Sequence, residues 1–104
     1  MENLMHEPYR KYQVTIHFEM DDLFMQKVPT HRLYINSLIE RGIVEYYAVS
    51  LETKRCWMIV NAFSTQEVTL LLEQSPLYRY WTIDIAELYV YDAWSDRLPA
   101  LQMN

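Results

Sequence analysis

Ser75-Pro76-Leu77-Tyr78-Arg79-Tyr80-Trp81-Thr82-Ile83-Asp84-Ile85-Ala86-Glu87-Leu88 is the stretch whose reading decides the fold. A proline separates a helical pattern before it from a strand pattern after it. Leu77, Tyr78, Tyr80 and Trp81 crowd into the join. Side chains of that size need an apolar surface, so the turn is expected to pack against a core, a pocket or a second subunit. From about Tyr80 to Asp92 the chain reads as a final strand.

The rest of the pattern follows by working back from this join. Val68, Leu71 and Leu72 lie at helical spacing, and Ser64 with Glu67 forms a capping box at the start of that helix. Arg55 to Phe63 is almost continuously apolar, which predicts a central strand covered on both faces. Glu52-Thr53-Lys54 turns back to a strand over Ile43 to Leu51. Gly42, the only glycine, reads as a left-handed helix C-cap. Before it, Phe24, Val28, His31, Ile35 and Leu38 form the apolar stripe of a helix from Leu23 to Arg41. Asp21 and Asp22 are expected to cap this helix, and Pro29 to kink or split it. In the first strand Tyr12, Val14, Ile16 and Phe18 alternate with Gln13, Thr15, His17 and Glu19.

The order is β-α-β-β-α-β, the ferredoxin-like α+β pattern, with both helices on one face of a four-stranded antiparallel sheet. Residues 10–92 form the domain, 1–9 a loose leader and 93–104 a tail whose Trp94, Leu98 and Leu101 are expected to pack on their own or a partner subunit. A central strand apolar on both sides needs a cover for the open face. With no further helices in the pattern, that cover is a second copy of the sheet in a symmetric homodimer or higher homo-oligomer.

Composition limits the partners. At 104 residues the chain has room for one domain. A formal net charge of −5 opposes nucleic acid and anionic membranes alike. No apolar run reaches the ~20 residues of a membrane helix. Met1 to Pro8 lacks the apolar centre of a signal peptide. Cys56 stands alone, so no internal disulfide forms, and a reducing cytoplasm is the expected location. The three histidines show no zinc-type spacing, and one glycine cannot build a phosphate loop, so neither metal nor cofactor is expected. Arg55-Cys56-Trp57-Met58 lacks the glycine of an RNA-recognition strand.

Pro76 to Leu88 resembles the proline-leucine-aromatic-x-tyrosine turn and last strand of the muconolactone isomerase family. Leu38-Ile39-Glu40-Arg41-Gly42 resembles the end of that family's first helix, and Pro29-Thr30-His31-Arg32-Leu33-Tyr34 looks like the proline-x-histidine helix of YCII-related domains. The resemblance covers roughly Tyr12 to Asp92 and implies a dimeric α+β barrel with a small-molecule pocket between sheet and first helix, or inside the barrel. It also implies an isomerase that shifts a double bond in an unsaturated lactone by moving a proton, without metal or organic cofactor. His31 and Tyr34 depart from the carboxylate, basic and aliphatic residues of the isomerase helix.

His31 is the leading catalytic candidate. It lies on the apolar stripe, where burial keeps imidazole neutral and able to take a proton next to a carbonyl. Tyr34, three residues on, would donate to an enolate oxygen. Each has a plain alternative, a hydrogen-bonded core histidine and an amphipathic core tyrosine. His17, with Gln13 and Thr15, lines either a polar site or a subunit interface. Arg79 is suited to a substrate carboxylate or to a surface ion pair. Asp84 either orients a histidine or is a solvated edge charge, and its opposite parity to Glu87 excludes a close carboxylate pair. Trp57 and Tyr46 wall a pocket or fill the core. Cys56, in an apolar strand, is expected to be inert. Two functions fit. One is cofactor-free isomerisation of a small lactone or enolisable carbonyl compound. The other is a non-catalytic small-ligand-binding or assembly module on the same barrel.

Overall fold

The computed structural model describes residues 9–93. Four strands, β1 (Arg10–Phe18), β2 (Val44–Ser50), β3 (Arg55–Ala62) and β4 (Trp81–Glu87), form one sheet in the order β2-β3-β1-β4. All pairings are antiparallel. Helix α1 (Phe24–Glu40) joins β1 to β2, and helix α2 (Thr65–Glu73) joins β3 to β4. The result is an α+β unit compatible with a ferredoxin-like fold.

One face of the sheet makes the core. Tyr12, Val14, Ile16 and Phe18 from β1 meet Cys56, Met58, Val60 and Ala62 from β3. Phe24, Ile35 and Leu38 of α1 and Val68 and Leu72 of α2 close over them. Each such aliphatic or aromatic side chain contributes roughly 1.5–3 kcal/mol on burial. The expected turn of the opening stretch is a single 3-10 turn, Tyr78–Tyr80, and it does pack inward. Leu77 is buried in the core, and Tyr80 sets its ring edge against Phe24 at 5.2 Å.

The helix ends show which local signals prevailed. Ser64 is the N-cap of α2, its Oγ accepting from the Glu67 amide at 3.1 Å, and Glu67 reaches back to the Phe63 amide. Gly42 has φ +75°, the left-handed value that stops α1. Asp21 does not cap α1 itself. Its carboxylate accepts from the Leu23 amide at 3.0 Å and holds the turn before the helix. Pro29 does not split α1, which runs unbroken through 17 residues. The proline removes only the bond to the Met25 carbonyl. Both residues are solvent-exposed there, so water can take the place of that bond.

Two further expectations change. β4 ends at Glu87 rather than near Asp92. The outer face of β3 is mixed: Ile59 is buried and Trp57 half-buried, but Arg55 and Asn61 flank them. The leader and tail fall almost wholly outside the described residues. Only Tyr9, stacked on Phe63 at 4.4 Å, and Ala93 belong to them.

Candidate functional site

A pocket of about 320 Å³ opens between the N-terminal half of α1 and the sheet. Phe18, Phe24, Val28, Leu77 and Trp81 give it apolar walls, and His31, Arg32, Tyr47 and Cys56 supply its polar atoms. Met25, Val49 and Leu51 form the rim and are all solvent-exposed, so the pocket has an open mouth. The opening stretch of sequence thus supplies two walls.

A one-residue irregularity in β2 decides which tyrosine faces this space. Val44 pairs with Val60 and Tyr46 with the next residue of β3, Ile59, leaving Glu45 as an extra residue. Strict alternation from Val44 would turn Tyr46 inward and Tyr47 outward. The bulge shifts the phase by one, so Tyr47 and Val49 face the helices and Tyr46 faces out. Lys11 of β1 binds both Glu45 and Asn61 and holds the bulge against the sheet.

His31 lies at the back of the pocket with 2% of its surface exposed. Its Nδ1 is 2.7 Å from Ser75 Oγ, and its Nε2 is 2.7 Å from the Tyr47 hydroxyl. Ser75 Oγ also accepts from the Leu77 amide at 3.0 Å, and the Tyr47 hydroxyl meets the Cys56 thiol. One arrangement leaves only the weakly polar Cys56 S–H without an acceptor. The Ser75 hydroxyl donates to Nδ1, Nε2–H donates to Tyr47, and the Tyr47 hydroxyl donates to Cys56. The Trp81 ring stands edge-on to the imidazole at 5.6 Å and limits its rotation.

Burial, reinforced by the Arg32 charge, pushes the His31 pKa down to about 4, so the ring is neutral at pH 7. Burial raises the Tyr47 hydroxyl above its usual range, with Cys56 adding to the effect. It also pushes the Cys56 thiol up to about 11, against a smaller opposing effect of the Tyr47 hydrogen bond. The thiol is therefore protonated and a poor nucleophile, as its apolar strand implied. The arrangement offers neutral donors and acceptors in an apolar recess, and His31 is the proton acceptor nearest to neutrality.

The other candidates lie elsewhere. Tyr34 is half-buried between the helices, its hydroxyl donating to the Leu71 carbonyl of α2 at 2.7 Å, outside the pocket lining. His17 is exposed on the outer face of β1, opposite Arg55 and Thr82. Tyr46, Trp57 and Asp84 share that outer face. Arg79 lies over the Tyr80 ring at 5.4 Å. Of the candidates, only His31 lines the pocket. Tyr47, Arg32 and Trp81 line it beside His31 and Ser75 bonds to the His31 ring, and none of the four was named as a site residue from the sequence. Among the described residues no group of three or more His, Cys, Asp or Glu side chains is arranged to hold a metal ion, and no helix is long and apolar enough to cross a membrane.

No family model matches the chain, and no curated protein is significantly similar to it. The likeness to muconolactone isomerases therefore rests on the residues quoted above.

Proposed function

We propose that the protein binds a small, largely apolar molecule in the pocket between α1 and the sheet. The observation that carries this reading is the convergence of the His31–Tyr47 pair on an otherwise apolar recess of ligand size. Its volume lies at the lower end of the ~300–1,000 Å³ of small-molecule sites. Apolar walls supply affinity, and the Tyr47 hydroxyl, with a lone pair to spare, orients one polar group of the guest. Titrating small aromatic fragments against the ¹⁵N-labelled protein tests this. Shifts should cluster on pocket residues and vanish in Val28→Trp, which fills the recess. A wild-type protein whose pocket resonances ignore every fragment, or a filled variant that binds as well, would refute it.

A second reading, cofactor-free proton transfer on a lactone or enolisable carbonyl compound, is favoured by one observation. His31 is neutral and linked to a hydroxyl at the pocket. If the Ser75 hydroxyl turns away, the proton can move to Nδ1 and free Nε2 as acceptor. A substrate that displaces the Tyr47 hydroxyl would then meet a base. Solvent deuterium entering an unsaturated lactone, and lost in His31→Ala, is the expected sign. Equal exchange by both proteins would remove His31 from this role.

Assembly as a dimeric α+β barrel belongs to the same proposal. Its support is the exposed ring of Tyr46 and the half-buried ring of Trp57 on the outer sheet face. Sedimentation should give a dimer at micromolar concentration and a monomer for Trp57→Arg. A wild-type monomer would sink this part alone.

A further inference from the structure

Among the described residues that line the pocket, one carries a formal charge. His31 is neutral, no carboxylate lines the recess, and the guanidinium of Arg32 stands at its edge. Arg32 is solvent-exposed, with its Cζ 5.4 Å from the centre of the Tyr47 ring. One NH₂ donates to Asn36 Oδ1 at 3.0 Å, one helical turn further along α1. These two contacts hold the guanidinium over the pocket. A guanidinium has five N–H donors, and among the described residues no carboxylate pairs with this one. Arg79, the arginine whose sequence position suited a substrate carboxylate, lies over Tyr80 outside the lining.

An apolar recess with one cation at its edge and neutral hydrogen-bonding groups at its back sorts ligands by charge. A cationic guest meets Arg32 and is repelled. A neutral guest uses the walls and Tyr47 and gains nothing from the charge. An anionic guest gains the fork geometry that a carboxylate fits with two parallel bonds. We propose that the ligand is a small apolar acid. Its hydrocarbon body lies against Phe24, Val28 and Trp81, its carboxylate is held by Arg32, and any second polar group reaches Tyr47. This specificity rests on the reading that the pocket binds a small molecule.

The test compares 4-phenylbutyrate with 4-phenylbutan-1-ol, which keeps the apolar body and removes the charge. Both are titrated by NMR near pH 7.5 into the wild-type chain, Arg32→Gln and Arg32→Lys. The acid should bind the wild type about tenfold more tightly than the alcohol, the worth of one charge-assisted contact at a partly exposed site. Arg32→Gln should abolish that preference by bringing the acid down to the alcohol's affinity, and Arg32→Lys should keep part of it. If the alcohol binds the wild type as well as the acid, the acid specificity is wrong while the pocket reading stands. If the acid preference survives in Arg32→Gln, Arg32 is not the anchor and the proposal falls. If neither probe moves the pocket resonances, the pocket reading fails and takes the proposal with it.

Discussion

Acid should destabilise this protein through His31 before its carboxylates begin to titrate. In the folded chain burial and Arg32 hold the His31 pKa at about 4, whereas in the unfolded chain it returns to its ordinary 6.5. The unfolded state therefore takes up the proton first, and acid favours unfolding. The contribution of the neutral ring is complete above pH 6.5, declines as pH falls towards 4, and is constant below that. One such group changes stability by at most ~1.4 kcal/mol per pH unit. Between pH 6.5 and 5 the ceiling is thus about 2 kcal/mol. The open mouth of the pocket lets water screen part of the charge, which leaves about 1 kcal/mol.

Guanidinium chloride midpoints at pH 7.5, 6.5, 5.5 and 5.0 would measure this decline. His31→Gln is the control, because it removes the titrating ring and leaves every other group in place. That variant should start about 2–4 kcal/mol less stable, since the Ser75 and Tyr47 hydroxyls lose well-placed partners. It should then lose less than the wild type on going to pH 5. The ring ¹⁵N shifts give a second measure, and in the folded protein they should stay at neutral-imidazole values from pH 7.5 to 5. A His31 ring that titrates near 6.5, or two proteins that lose stability in parallel, would refute a neutral, doubly bonded histidine.

Three further outcomes are expected. Tyr34→Phe should cost about 1 kcal/mol, the worth of its bond to the Leu71 carbonyl, and leave fragment binding untouched; a binding loss larger than the stability loss would return Tyr34 to the pocket. Gly42→Ala should cost roughly 1–2 kcal/mol in thermal unfolding although a Cβ there meets no atom within 4 Å, because its φ of +75° lies in the left-handed region; no cost would mean that the α1 terminus can re-form with negative φ. Deleting Glu45 should restore regular β2–β3 pairing while Tyr47 stays inward, so the His31 ring shifts should persist; their loss would show that the bulge is needed for the His31–Tyr47 bond.

The element order was legible because periodicity reports burial, and burial on the helix side of β1 and β3 is nearly complete. The apolar–polar alternation of β1, the apolar stripe of α1 and the Ser64–Glu67 cap each depend on neighbours close in sequence, and each is present as read. The end of β4 depends on something further away. Alternation continues past Glu87, but Tyr12 already pairs with Glu87, and Leu88 donates to Lys11. β1 begins at Arg10, so the later residues have almost no strand left to pair with, and Tyr89 is fully exposed.

The site was legible only in part, for a related reason. His31 announced itself as a polar residue on an apolar stripe. Ser75 looked like punctuation at the end of a helix, because Ser-Pro is a common stop, yet its hydroxyl is what the imidazole meets. Two neighbouring tyrosines in β2 differ in sequence only by parity, and parity is what a bulge reverses. The single extra residue at Glu45 is anchored by Lys11 from a strand more than thirty positions away. No local pattern contains that pairing. The same phase shift that removes Tyr46 from the pocket also lines up Tyr47, Val49 and Cys56 along one wall. The chemistry of the recess is therefore set by sheet register as much as by residue type. A substitution that moved the register by one place would replace the hydroxyl facing His31 without touching His31 itself.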